Sequence, residues 1–324
     1  MIDVERRRAL ALLAGLMSGT KLMLGSDRAL ASGNNVDVHG LAATLTIPQV
    51  KGPVPAVVII AGSGPTDRDG NSSLGLNTNS YKLLAEGLAA AGIASLRYDK
   101  RGIAGSKLAA AGLREEDFTI ETFVDDAVLV AKWLRRRQGV RSVSLIGHSE
   151  GALISLLAAR DAGAAAAVLL CGTGRKLGEV IREQLSRPGT PPQVAKEAFR
   201  IIAALEKGEQ VSDLPKNLEG LFRPGIQPFL RSELVIDPAA LAAALAQPLM
   251  IVGGGADIQV ARADFDRLVA ARPDATALWL ADMAHTLKAV GADPKAQGSA
   301  YADPALPLER GLVPAVASFV LSRG

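Results

Sequence analysis

The chain has a single cysteine, Cys171, so no intrachain disulfide can form and no set of thiolates is available to a metal. Histidine is nearly as scarce. His39, His148 and His285 are the only imidazoles among 324 residues, which narrows any chemistry that needs one. Aromatic residues make up only 4%, too few for the stacking platforms that hold single-stranded nucleic acid. An excess of one charge is missing too. Arg6, Arg7, Arg8, Lys21 and Arg28 face Asp3, Glu5 and Asp27 within residues 1–31, and the remainder carries 31 basic and 30 acidic residues. Such balance leaves no electrostatic footprint for nucleic acid. Nor does any apolar run approach the roughly 20 residues of a membrane-spanning helix.

What is present is apolar material: 48% of residues are hydrophobic and 21% charged, enough for a large buried core. Residues 1–31 stand apart. A basic cluster, an apolar run from Ala9 to Leu16 and the small-residue site Ala29-Leu30-Ala31 read as an export signal. Its three consecutive arginines resemble a twin-arginine signal, with Glu5 where a polar residue usually precedes the pair. The mature chain would run over 32–324 and be periplasmic, without stable membrane insertion. The alternatives are a cytoplasmic protein or one anchored by the uncleaved segment.

From about Val36 onward, glycine-bounded apolar runs alternate with helical patterns, which predicts an α/β fold. "VDVHGLAATLTIP" alternates with period two and reads as one early antiparallel strand. "PAVVIIAG", "GIASLRYD", "SVSLIG", "AAAVLLCG", "PLMIVGGG" and "ATALWLAD" are continuous runs suited to a mostly parallel sheet. Cys171, inside one of them, is expected to be a buried strand residue. Residues 177–239 break the alternation with charge, proline and helical pieces but no strand, and are expected to form a helical cap inserted between two strands.

The stretch "SLIGHSEGALISLL" places Ser149 between Gly147 and Gly151, after an apolar run and before a helical pattern. Nucleophile chemistry needs that context, because a sharp strand-to-helix turn lifts the hydroxyl above the sheet. A serine hydroxyl also needs a base. His148 adjoins Ser149, and the turn should point its side chain away; His39 belongs to the early strand, far from the sheet's carboxyl edge. His285, in "LADMAHTLK" just past a strand, remains. Asp257 is the first acid beyond the strand "PLMIVGG" and would orient that imidazole, whereas Asp264 and Asp266 lie in the following helix and read as solvated. The expected oxyanion donors are the backbone N–H groups of Glu150 and of Ser63, the latter in "AGSGPTDRDGN". That loop lacks the lysine and glycine spacing of a phosphate cradle. In "RYDKRGIAGS", Asp99 and Arg101 read as ties between loops, with contact to an acidic substrate the alternative.

Taken in order, "AGSGPTDRDGN", "RYDKRGIAGS", "LIGHSEGA", "VGGGADIQV" and "MAHTLK" resemble the α/β-hydrolase superfamily. More narrowly they resemble bacterial esterases related to dienelactone hydrolases and to the catalytic domains of prolyl oligopeptidase-type peptidases. The resemblance spans residues 36–322. It implies an α/β-hydrolase fold and an esterase for small acyl esters, with Ser149, Asp257 and His285 as triad. It also implies a small-molecule ester as substrate and no cofactor; no metal or nucleic acid is expected, and the oligomeric state is left open. Ala61 departs from the pattern, standing where a histidine often supports the oxyanion loop. The same triad would serve an acyl-CoA thioesterase or a small aminopeptidase, and a non-catalytic binding protein of this fold is the alternative outside enzymes.

Overall fold

The computed structural model describes residues 33–291 and 293–323, so the export segment expected over 1–31 lies outside the described residues. The chain opens with β1 (Gly33–Val38) and β2 (Leu41–Thr46), which pair antiparallel. The single early strand expected from the alternation is thus a hairpin. His39 and Gly40 form its turn with φ of 54° and 89°, and the Asp37 carboxylate accepts the Gly40 N–H at 3.0 Å. Two successive positive φ values match the twist of a tight hairpin, which the even alternation on both sides conceals.

Next come β3 (Val54–Ile60), a small hairpin of β4 (Asn71–Ser72) and β5 (Leu76–Asn77), α1 (Ser80–Ala90), β6 (Ala94–Tyr98), α2 (Ile120–Arg135), β7 (Val140–His148), α3 (Glu150–Ala162) and β8 (Ala167–Leu170). Five helices then intervene: α4 (Leu177–Leu185), α5 (Pro192–Glu206), α6 (Glu219–Phe222), α7 (Gln227–Leu234) and α8 (Pro238–Ala244). The chain closes with β9 (Leu249–Gly254), α9 (Arg262–Ala271), β10 (Thr276–Leu280), α10 (Pro294–Ala302) and α11 (Leu312–Leu321).

The large sheet has the order β1-β2-β6-β3-β7-β8-β9-β10, and every pair from β6 to β10 is parallel. All seven residues of β3 are buried. Because side chains alternate along a strand, Val58 and Ile60 pack with Ile120, Val130 and Leu134 of α2, while Val57 and Ile59 pack with Leu84 and Leu88 of α1 and Val316 of α11. Helices cover both faces, and each fully buried Val, Leu or Ile contributes roughly 1.5–3 kcal/mol.

The register fixes where loops emerge. Ile60 lies beside Gly147, His148 beside Leu170, and Leu280 beside Gly254, so the segments after β3, β7, β8, β9 and β10 leave along one edge. The His39 turn also lies toward this edge, since Ala43 pairs with Tyr98 at the carboxyl end of β6. That corrects the expectation that it sits far from the edge; what separates it from β7 is the three intervening strands β2, β6 and β3.

The five inserted helices have a core of their own, in which Ile201, Ile202 and Leu205 meet Phe222, Leu230 and Leu234. They lean on α2: Phe229 meets Phe123 edge-on at 5.6 Å, and Ser232 Oγ accepts the Ile120 N–H at 2.9 Å.

Candidate active site

Ser149 occupies the turn between β7 and α3 with φ 56° and ψ −121°, a conformation that costs a non-glycine residue energy and is held here by its surroundings. Its N–H donates to the Leu170 carbonyl at 2.9 Å. The flanking glycines are required by close approach. A Cβ on Gly147 would lie 1.9 Å from the Gly151 carbonyl oxygen, and one on Gly151 would lie 2.3 Å from that of Ile60. Strand, turn and helix can come this close only without side chains at both positions.

Ser149, His285 and Ser63 line one cleft. His285 Nδ1 lies 2.8 Å from Asp257 Oδ2, and the other carboxylate oxygen accepts the N–H groups of Gln259 at 2.7 Å and Val260 at 2.9 Å. Burial works against the Asp257 charge, yet the neighbouring His285 and these N–H donors outweigh it and hold the carboxyl below the usual carboxylate range. An ionised Asp257 therefore fixes the His285 proton on Nδ1 and leaves Nε2 as an acceptor.

Behind the acid sits Cys171, just past the end of β8, with φ 50°. It is buried as expected, but in the turn rather than the strand. Burial, together with the charge of Asp257 and a hydrogen bond to it, pushes the thiol well above its ordinary value, so the S–H donates to the carboxylate. His148, Cys171 and His285 place potential ligand atoms within 4.8 Å of one another. Both ring nitrogens of His148 are committed to hydrogen bonds within the protein, which leaves that ring none to offer a metal.

His148 Nε2 is 2.7 Å from the His285 carbonyl oxygen, which can only accept, so Nε2 carries the proton. Nδ1 then accepts from the Tyr81 hydroxyl at 2.8 Å, and that hydroxyl accepts the Gly62 N–H at 3.1 Å. Burial, then the nearby His285, drives the His148 pKa from 6.5 down to about 3, so the ring stays neutral. His148 is excluded as a base by these two bonds. Its side chain lines the same cleft as Ser149, with both ring nitrogens bonded to groups other than the serine.

Gly62 is held from its other side as well. The Lys100 ammonium donates to the Gly62 carbonyl at 2.7 Å and to the Glu150 carboxylate at 3.2 Å. With Ala61 in the place of a supporting histidine, Tyr81 and Lys100 brace the loop. Among the described residues, the backbone N–H groups of Ser63 and Glu150 donate to no other group, which leaves both free to meet an oxyanion.

Sequence reasoning assigned no bracing role to Tyr81, His148 or Lys100, setting His148 aside as a base and weighing Lys100 only as a contact to an acidic substrate. The only signal was the buried, hydroxyl-bearing residue one position into α1, which says nothing of the partner 67 residues away. Asp99 and Arg101 do tie loops: Asp99 accepts the N–H groups of Arg68 at 2.8 Å and Gly105 at 2.9 Å, and Arg101 pairs with Asp126. Asp264 corrects an expectation, because it is fully buried rather than solvated. It accepts the Gly174 and Arg175 N–H groups, each at 3.1 Å, and the Arg175 guanidinium. Asp266 does face solvent, paired with Arg262.

Residues 74–219 match the family described as serine aminopeptidase, S33. The chain is 32% identical over 243 residues to Esterase EstD of Thermotoga maritima, covering 71% of this chain and 53% of that protein, so it spans about half the length of this curated relative. Among solved structures it is similar to Est1E from Butyrivibrio proteoclasticus, with a TM-score of 0.56 and 18% identity over 90% of this chain and 98% of that one. It is also similar to a proline iminopeptidase of Mycobacterium smegmatis, with a TM-score of 0.54 and 14% identity over 90% and 98% of the two chains. Sheet order, turn geometry and these likenesses agree: the chain has the α/β-hydrolase fold.

Proposed function

We propose that the protein is a serine hydrolase cleaving small acyl esters, with Ser149 as nucleophile, His285 as base and Asp257 as its orienting carboxylate. The observation that carries this is the pairing of His285 with buried, ionised Asp257 in the cleft that also holds the strained Ser149 turn. The esterase identity of the Thermotoga maritima relative supports esters as the substrate class.

In this reading His285 Nε2 takes the Ser149 proton as the hydroxyl attacks the carbonyl. The Ser63 and Glu150 N–H groups bind the resulting oxyanion, and His285 returns the proton to the leaving oxygen. Water repeats the sequence on the acyl-enzyme, so each half-reaction uses the same donors.

The test is labelling with a fluorophosphonate, which reports an activated serine without assuming a substrate. Wild type should label at Ser149 alone, while Ser149→Ala and His285→Ala should not label although both remain folded. Turnover of acyl esters by Ser149→Ala should fall by roughly four orders of magnitude or more. Labelling that persists in Ser149→Ala would overturn the assignment. The S33 match favours a second reading, an aminopeptidase, which predicts faster release of an aminoacyl amide than of the matched ester.

A further inference from the structure

The cleft has a chemical character that the triad does not require. Among the described residues that line it there is no aspartate, glutamate, lysine or arginine. Its polar lining is hydroxyl and amide instead, from residues such as Thr66, Thr78, Tyr301 and Gln259, beside the apolar Leu76 and Leu287.

Some of these groups are spent inside the protein. Thr78 Oγ1 donates to the Gly70 carbonyl at 2.6 Å, and Thr66 Oγ1 to that of Ser63 at 3.2 Å. Others have capacity left. Gln259 Nε2 donates to the Tyr301 hydroxyl at 2.8 Å, and among the described residues neither the Gln259 side-chain oxygen nor the Tyr301 hydroxyl proton has a further partner. Buried polar groups are nearly always paired, so unspent donors and acceptors in the wall of a reaction cleft mark places where a ligand completes them.

Their position relative to the triad gives them an address. The Gln259 N–H is bonded to Asp257, the partner of His285. Since His285 must hand its proton to the leaving oxygen, the part of the cleft around His285 receives the alcohol half of an ester.

We propose that the alcohol half of the substrate is neutral and polyhydroxylated, an acyl ester of a polyol or carbohydrate, recognised by Gln259 and Tyr301. This rests on the serine hydrolase reading. A cationic or anionic alcohol would find no opposite charge in this wall, and a plain alkyl alcohol would leave its polar groups unpaired. A site that hydrogen-bonds a substrate hydroxyl discriminates strongly against the analogue without it.

The experiment compares glycerol monoacetate with propyl acetate, which share the acyl group and differ by two hydroxyls on the alcohol. Wild type should show kcat/KM at least about tenfold higher for the hydroxylated ester. Tyr301→Phe and Gln259→Leu should collapse that ratio toward one, chiefly through KM for glycerol monoacetate. Fluorophosphonate labelling of Ser149 is followed in the same samples. Labelling with no preference for glycerol monoacetate, or with both esters falling equally in the variants, would overturn this proposal and leave the hydrolase intact. Loss of labelling in wild type would overturn both.

Discussion

The two sides of Ser149 are built from different chemistry. Toward His285 the cleft is lined by hydroxyls, the Gln259 amide, two imidazoles and the apolar Leu76 and Leu287, with the one carboxylate, Asp257, screened behind His285 and only 1% exposed. Toward the inserted helices the protein buries charge. Lys100 and Glu150, 5% and 8% exposed, pair at 3.2 Å, and Glu233 of α7 is buried within reach of both charges. Substrate would meet the first side, whereas on the second Glu233 brings an inserted helix close to the Lys100–Glu150 pair. A fold that must keep its reaction space free of stray charge can still use buried ions, provided they lie on the far side of the nucleophile. The expected cap lines none of the cleft, whose walls come from residues 62–81, 148–149, 259, 285–287 and 301.

The sharpest way to break this comparison is to remove the single charge on the cleft side. Asp257→Asn retains shape but loses the charge that keeps the His285 proton on Nδ1. It should lower kcat/KM on acyl esters by about 10³–10⁴ while the melting temperature changes little. Comparable loss of activity and of fold would make Asp257 a packing residue instead.

A second test uses pH. His148 is neutral in the folded chain with a pKa of about 3 against 6.5 ordinarily, so in acid the unfolded chain binds the extra proton first. Its contribution is complete above 6.5 and is lost as pH falls toward 3, up to roughly 5 kcal/mol. Denaturant unfolding at several pH values should show wild type losing stability across that window. His148→Gln should flatten the slope there by about one proton, or ~1.4 kcal/mol per pH unit. An unchanged slope would mean that the ring is already charged, and the Tyr81 hydroxyl would then have to accept rather than donate.

On the charged side, Lys100→Met leaves Glu150 and Glu233 buried together without a cation and frees the Gly62 carbonyl. Stability should fall by roughly 3–5 kcal/mol. The kcat should drop about tenfold as the oxyanion loop loosens, a loss equal to one hydrogen bond of ordinary strength. Activity at the wild-type level would show that Tyr81 alone braces the loop.

Much of this was legible in the sequence, for reasons that differ by residue. Continuous apolar runs bounded by glycine mark strands that are buried on both faces, and loops after parallel strands share one edge. The serine turn, Asp257 and His285 follow strands β7, β9 and β10 and so converge there. Three histidines also made elimination short. What stayed hidden depends on contacts distant along the chain. The amphipathic pattern of α9 assigns Asp264 no partner, because Arg175 lies 89 residues earlier. The pairing of Tyr81 with His148 and the bond from Lys100 to Gly62 exist only once three separate loops meet. The hairpin turn at His39 was missed for a local reason: period-two alternation runs evenly through it, and only Gly40 marks the break.

The gentlest test asks whether Glu233 carries its charge. Burial, then the neighbouring Glu150, raises its pKa well above the ordinary 4.5, and Lys100 offsets this only in part. A raised carboxyl stabilises the fold below its ordinary pKa, and that contribution is lost as pH climbs through the folded value. Glu233→Gln cannot ionise, so it should match wild type near pH 5 and melt a degree or two higher at pH 8. If the variant instead melts lower at pH 8, Glu233 is ionised and paired with Lys100. The inserted helices would then be fastened by an ion pair, and the charged side of Ser149 would hold a second anion that substrate binding must avoid.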